Sequence, residues 1–255
     1  MIDTHCHLYS KEFLNDLEGI MERALQKGVQ RFYLPAIDSE STEAMLKVEN
    51  DYPERCFAMM GLHPCSVNND YMQELQQVEA WLSKRSFAAV GEIGLDFYWD
   101  KTFILEQYIV FRKQCALALQ YDLPVVIHSR NATQETISII REFSGSGLKG
   151  IFHCFSGTLD EAREIIDEGF YLGIGGVITY KNSGLAEIIT HIDLKHIVLE
   201  TDAPYLAPVP FRGKRNESSY LELIALKIAE CKKITLEEVV AITTDNAMHV
   251  FRGKS

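Results

Sequence analysis

Eight short apolar runs, rich in β-branched and aromatic residues, recur along this chain with longer helical patterns between them. The runs are Met1–Thr4, Arg31–Pro35, Phe57–Gly61, Phe87–Gly91, Pro124–Ile127, Lys149–Phe152, Phe170–Ile174 and His196–Leu199. Each interval is long enough for a crossover helix, which parallel neighbours in a sheet require. Leu14, Leu17, Met21, Ala24 and Leu25 form one helical stripe, and Ile104, Tyr108, Phe111, Cys115 and Leu119 form another. Thr158-x-x-Glu161 and Thr235-x-x-Glu238 read as capping boxes that start helices. Eight βα units predict an α/β protein with a parallel sheet, and a closed (β/α)8 TIM barrel is the usual way to arrange eight.

Size is consistent with that architecture, since 255 residues fit one barrel domain spanning 1–255. No internal repeat, low-complexity tract or Pro/Ser-rich linker divides the chain. Met1-Ile2-Asp3-Thr4-His5 lacks the basic and apolar regions of a signal peptide, and no apolar run approaches a membrane span. The six cysteines are scattered without a C-x-x-C pair, which fits a cytoplasmic setting with the thiols as small hydrophobes. The formal net charge is −11, which disfavours passive binding to a polyanion. A nucleic-acid enzyme survives that objection, because bound cations and a local basic patch reverse the field at one mouth.

The polar residues decide between a closed barrel and an open doubly wound sheet. His5 and His7 end the first run, His63 follows the third, and Glu92 ends the fourth; His128, His153 and Asp202 follow at the fifth, sixth and eighth. In a barrel these ends converge on the face where active sites of that fold lie. An open sheet would spread the same residues along an edge, too far apart to share a metal. His5 and His7, two apart on a strand, point to one face, while Cys6 points the other way into packing. A lone H-x-H is a weak signal. Five histidines and two carboxylates at six strand ends are not.

His5, His7, Glu92, His128, His153 and Asp202 are therefore the expected metal ligands. Their mixture of nitrogen and carboxylate suits zinc, manganese or similar ions better than a dedicated magnesium cage. Six ligands exceed the three or four of one catalytic zinc, so two divalent ions are expected, with Glu92 able to bridge them. Arg212, Lys214 and Arg215 place three positive charges just after the eighth strand, on the same face. They are candidate phosphate contacts, and Phe97, Tyr98 and Trp99 are candidate stacking partners for an unpaired base. The Gly173-x-Gly175-Gly176 run lacks the Lys-Ser/Thr of a phosphate loop and reads as close backbone approach. No Gly-x-Ser elbow or nucleophilic cysteine is present.

In combination, several segments resemble the TatD-type metal-dependent deoxyribonucleases, a branch of the amidohydrolase superfamily. They are Ile2–Leu8, Gly61-Leu62-His63-Pro64, Gly91-Glu92-Ile93-Gly94-Leu95-Asp96, His128-Ser129-Arg130, His153-Cys154-Phe155-Ser156-Gly157, Glu200–Leu206 and Arg212–Glu217. The resemblance implies that His5, His7, Glu92 and Asp202 hold one metal and that Glu92, His128 and His153 hold the second. Two positions depart from the pattern. Asn131 stands where the family often has Asp, and Ser218 where it often has Pro.

The function this implies is removal of nucleotides from the 3′ end of single-stranded DNA, with RNA or tRNA as further candidate substrates and the polarity taken from the resemblance alone. Glu92 and Asp202 are catalytic in this reading, Asp202 taking a proton from the attacking water, and His63 hydrogen-bonds a phosphate oxygen. The same water would attack a carbonyl equally well. Ester or amide hydrolysis, including D-aminoacyl-tRNA deacylation, is thus an alternative, and an inactive metal-binding scaffold is the alternative from another class. No membrane association and no obligate protein partner are expected.

Overall fold

In the computed structural model, which describes residues 1–251, all eight runs become parallel strands. They are β1 (Ile2–Asp3), β2 (Arg31–Leu34), β3 (Cys56–Ala58), β4 (Val90–Asp96), β5 (Val125–Arg130), β6 (Gly150–Phe152), β7 (Tyr171–Ile174) and β8 (Ile197–Leu199). Two ladders, β1-β2-β3 and β4-β5-β6-β7-β8, meet at single parallel bridges, Met60↔Val90 and Cys6↔Ala203. Met60 N–H donates to Ala89 O at 3.1 Å across the first seam. Across the second, Thr4 N–H donates to Leu199 O at 3.0 Å and Asp202 N–H to His5 O at 2.9 Å. The sheet is a (β/α)8 barrel, and the second seam already brings Asp202 beside His5.

The barrel interior separates apolar from polar by level. Ile2, Tyr33, Met59, Ala89, Val126, Ile151, Tyr171 and Val198, each from a strand or its flank, pack together at the level where the strands begin. Helix α9 (Leu236–Val250) closes that end with Ala247 and Val250, and Phe251 just beyond it stacks on Tyr33 at 3.7 Å between ring centroids. With the bottom filled, the polar groups gather at the opposite mouth.

Outside the barrel lie α1 (Leu17–Gln26), α2 (Ser39–Asp51), α3 (Tyr71–Lys84), α4 (Ile104–Gln120), α5 (Thr133–Arg141), α6 (Leu159–Asp167), α7 (Leu185–Thr190) and α8 (Leu221–Lys232). Both expected capping boxes form, Thr158 with Glu161 at the start of α6 and Thr235 with Glu238 at the start of α9. Each satisfies helix-end N–H groups that would otherwise lack partners. The first stripe is shorter than its periodicity suggests: α1 begins at Leu17 and buries Ile20, Met21 and Ala24, while Leu14 stays exposed.

Helix α4 buries two glutamines that the apolar stripe conceals, and both hold strand backbone. Gln107 accepts from Asp96 N–H at 2.9 Å and donates to Asp96 O at 3.2 Å. Gln114 does the same for Leu62, at 2.7 and 3.1 Å, one residue before His63. Full burial of a polar side chain is tolerated because every one of these groups is paired.

The fourth strand differs from expectation. The expected run ends at Gly91, but β4 runs on to Asp96, and the β4–β5 register shifts between Gly91 and Ile93 so that Glu92 is left out of the ladder. Such a bulge re-aims a side chain. Gly94 is the permissive residue: at φ 139 a Cβ there would run into the backbone oxygen of His128. The two longest strands thus lie side by side and lift Glu92, Asp96 and His128 into the mouth.

Candidate metal centre

The mouth opens into a cleft of about 840 Å³ whose walls include His7, His63, Glu92, Asp96, His128, His153 and Asp202. His5 is fully buried beside them. Glu92 stands between two sets of imidazoles. Its Oε2 lies 3.1 Å from His5 Nε2 and 3.8 Å from His7 Nε2. Its Oε1 lies 2.8 Å from His128 Nδ1, 3.2 Å from His153 Nε2 and 3.3 Å from His63 Nε2. Asp202 Oδ1 completes the first set, at 3.7 Å from His5 Nε2 and 3.5 Å from His7 Nε2. His153 lies between the sets, with its ring stacked on His5 at 3.7 Å, so that His5, His153 and Asp202 also converge.

Hydrogen bonds behind His7 and His128, and a carboxylate behind His153, decide which nitrogen of each ring faces inward. The Tyr9 hydroxyl donates to Pro35 O at 2.6 Å and so accepts from His7 Nδ1 at 3.0 Å, leaving the lone pair of His7 on Nε2. Asp96 Oδ2 takes His128 Nε2–H at 2.8 Å, which turns Nδ1 toward Glu92. Asp96 is itself held by Tyr98 and Trp99 N–H groups on Oδ1. Glu200 lies 3.2 Å behind His153 Nδ1 and faces its Nε2 inward. Carboxylates and hydroxyls behind imidazoles are the usual means of orienting metal ligands. His63 is different. Its Nδ1 accepts Cys65 N–H at 3.0 Å, so the neutral ring carries its proton on Nε2, toward Glu92. In that tautomer it is a donor toward Glu92, although its ring also stands close enough to Glu92 and His128 for the three to share an ion.

The charges point the same way. Burial alone would raise the Glu92 carboxyl, but His153, His63, His5 and the bond from His128 hold it well below the usual carboxylate range. Asp202 is also lowered against burial, through His7 and the charges of His153 and His5. Burial disfavours protonated His153 and His128. Glu92 and Glu200 nevertheless raise His153 well above the imidazole range, and Asp96 and Glu92 raise His128. His5 and His63 go down, chiefly through desolvation. The carboxylates therefore draw positive charge into the center, which protons on two rings meet here and divalent cations would meet better. His5 Nδ1 and Nε2, buried without a hydrogen-bond partner, fit that reading. The donor set is compatible with metal.

The basic loop divides. Arg212 and Lys214 line the cleft, and the Arg212 guanidinium lies 4.4 Å over the Tyr180 ring. Arg215 is not brought there. Its guanidinium grips both oxygens of Asp16, at 2.8 and 2.7 Å, and lies 5.2 Å over Phe13. Loop geometry is held by Asn216, whose Nδ2 donates to Thr201 O and Tyr205 O, each at 2.7 Å. Of the three aromatics, Trp99 lines the cleft, Tyr98 is half-exposed beside it, and Phe97 packs against the core.

Tyr9, Asp96 and Glu200 carry no role in the sequence reading, although Asp96 and Glu200 fall inside its quoted segments. The available signal was adjacency: an acid four residues after Glu92 and another two before Asp202. Tyr9 offered the same signal, two residues after His7, while its other partner, Pro35 O, comes from the end of the neighbouring strand. Gly173 is explained at the same time, since a Cβ there would collide with the Glu200 carboxylate and lie 3.1 Å from His153 Cα.

Inward-facing imidazoles around a shared carboxylate, at the C-terminal mouth of a parallel barrel, place this chain among the metal-dependent hydrolases. Its sequence matches the model of the TatD related DNase family over residues 2–252, and the chain belongs to that family. It is 38% identical over 253 residues to the uncharacterized metal-dependent hydrolase YabD of Bacillus subtilis, covering 99% of each chain. It is 31% identical to the 3'-5' ssDNA/RNA exonuclease TatD of Edwardsiella piscicida over 258 residues, again 99% of each. The crystal structure of the TatD homolog YjjV from Escherichia coli superposes with a TM-score of 0.93 at 30% identity, covering 99% of this chain and 98% of that one. Among the described residues no helix is long and apolar enough to cross a membrane.

Proposed function

We propose that this chain, working as one catalytic domain, removes nucleotides from the 3′ end of single-stranded DNA with the help of two divalent ions. The observation that carries the proposal is the division of Glu92, one oxygen toward His5 and His7 and the other toward His128 and His153. In this reading His5, His7, Glu92 and Asp202 hold one ion, and Glu92, His128 and His153 hold the other, with zinc, manganese or magnesium as candidates. The bound pair supplies a water acidified toward neutrality and positive charge beside the phosphate.

The residues of the chain do the rest. Asp202, held ionised by its histidine neighbours, accepts the proton of the attacking water. His63 donates from Nε2 to a phosphate oxygen as charge develops there. Arg212 and Lys214 draw the strand into an otherwise acidic protein, and Trp99 offers a face to an unpaired base. The polarity and the substrate class are supported by the relative from Edwardsiella piscicida, named as a 3'-5' ssDNA/RNA exonuclease.

End-labelled single-stranded DNA incubated with metal-depleted protein, re-supplied with magnesium, manganese or zinc, tests this directly. The expected result is a ladder shortening from the 3′ end, absent from Asp202→Asn and His128→Ala proteins. D-aminoacyl-tRNA runs in parallel. Deacylation without DNA cleavage, dependent on the same residues, would keep the center and overturn the substrate.

A further inference from the structure

A second cavity, of about 290 Å³, opens beside the main cleft and shares His153 and Arg130 with its wall. The rest of its lining includes Ser129, Asn131, Thr133 and Ser156, and it contains no carboxylate. That is unusual placement in a chain with 36 acidic residues against 25 basic ones. Of the acids nearest along the chain, Glu135 is exposed on α5 and Asp160 on α6, and Glu161 is occupied in the capping box of α6, accepting from Thr158 N–H and Oγ1–H.

Arg130 is held in a way that leaves its charge available. Its guanidinium lies 4.1 Å over the Tyr98 ring and 5.2 Å over Trp99. Arg23, Arg112, Arg141 and Arg215, by contrast, are each bound to carboxylates. Aromatic faces orient a guanidinium without neutralising it, and its fork matches phosphate oxygens. Asn131, at φ 53, presents an uncharged amide to the cavity where an acid of the same shape would fit.

We propose that this cavity is a second phosphate subsite, in which Arg130, Asn131 and the Ser129, Thr133 and Ser156 hydroxyls take the phosphodiester next to the one being cleaved. The proposal rests on the nuclease reading and adds a specificity to it: a strand must carry a charged linkage beyond the scissile one to bind well. Asn131, rather than an acid, is what admits that charge.

The test uses metal-loaded wild type, Asn131→Asp and Arg130→Gln proteins. Their substrates are oligonucleotides in which one neutral methylphosphonate replaces successive linkages from the 3′ end. In the wild type, neutralising the linkage adjacent to the scissile one raises KM about tenfold, as expected for one charge-assisted phosphate contact. In both variants KM is already raised; in Arg130→Gln that linkage no longer matters, and in Asn131→Asp neutralising it no longer raises KM. The dependence of log KM on log salt also falls by about 0.7, one single-strand phosphate contact. Variants as sensitive to the neutral linkage as the wild type would overturn the subsite. If none of the proteins cuts DNA, inorganic phosphate titrated into wild type and Asn131→Asp separates the two questions. A binding step lost in Asn131→Asp keeps the subsite while the nuclease reading falls, and identical titrations overturn the subsite too.

Discussion

The Tyr9 hydroxyl gives its proton to Pro35 O and therefore meets His7 Nδ1, 3.0 Å away, only as an acceptor. His7 keeps its lone pair on Nε2, facing Glu92 and Asp202. Tyr9→Phe removes this constraint and leaves Pro35 O without the hydroxyl. We expect metal affinity at the His5–His7 side to fall about 10–100-fold, the usual cost of losing such a bond behind a ligand. Competition with a chromophoric chelator measures it. Unchanged affinity would mean that packing alone orients His7.

Asp96 does for His128 what Tyr9 does for His7, with a full charge. Asp96→Asn keeps the shape and loses the acceptor that fixes His128 Nε2–H. Since Oδ1 of Asp96 is already committed to Tyr98 and Trp99 N–H groups, the amide turns its NH2 toward the ring. The expected outcome is loss of about 10–100-fold in affinity for one of two metal equivalents, with the other retained. Equal weakening of both equivalents would contradict the division of ligands.

Gly173→Ala tests the support of His153. The added methyl collides with the Glu200 carboxylate, and overpacking of this kind costs about 1–3 kcal/mol. Urea unfolding of the metal-free protein should show that loss. Metal titration should show weakened binding on the His153 side.

Arg212 and Arg215 lie on one loop but face different surroundings, the cleft and Asp16. Arg212→Ala should raise KM for DNA several-fold and lower its salt dependence, with little change in unfolding midpoint. Arg215→Ala removes the clamp on Asp16 and the cover of Phe13, so its effect should fall on stability, with KM nearly unchanged. Steady-state kinetics and thermal melts of the pair suffice. The reverse pattern would place the substrate path on the wrong side of the loop.

Glu217 accepts a two-pronged bond from Arg23, at 2.8 and 2.6 Å. Burial pushes its carboxyl up, yet Arg23 and Ser219 bring it below the usual value. A depressed folded value means stability that is complete above the unfolded carboxylate range and lost as pH falls through the folded value. Glu217→Gln should therefore cost about 1–2 kcal/mol at pH 7, the lower part of the range because Arg23 is half-exposed. The gap between the two proteins should close in acid. Urea midpoints from pH 7 to pH 3 test it, and a gap that persisted would exclude ionisation as its source.

Barrel class and inward histidines were legible because both follow from local pattern: alternating βα units and polar residues at strand ends. The end of β4 was not, because the apolar run stops at Gly91 while the bulge that carries the strand past it depends on β5 and on the approach of His128 O. The expectation for Phe97 rested on type and position alone, and packing against the core distinguishes it from Trp99. Arg215 needed knowledge of Asp16, a partner from the other end of the chain. The two glutamines of α4 were hidden because their partners are backbone oxygens and amides that no spacing reveals. Tyr9 stood two residues from His7, but its hold on Pro35 O, which fixes the direction of the bond, comes from the neighbouring strand.

The seam between β1 and β8 has a consequence for synthesis. His5 and His7 are made long before Asp202, which follows the eighth strand and is seated beside His5 by backbone bonds across the seam. A nascent chain therefore holds the histidines through the intervening βα units without the carboxylate that stands beside them. Contacts so distant in sequence form late. Completion of the cluster thus awaits ring closure, and a chain truncated before Asp202 lacks that carboxylate however well its earlier βα units have folded.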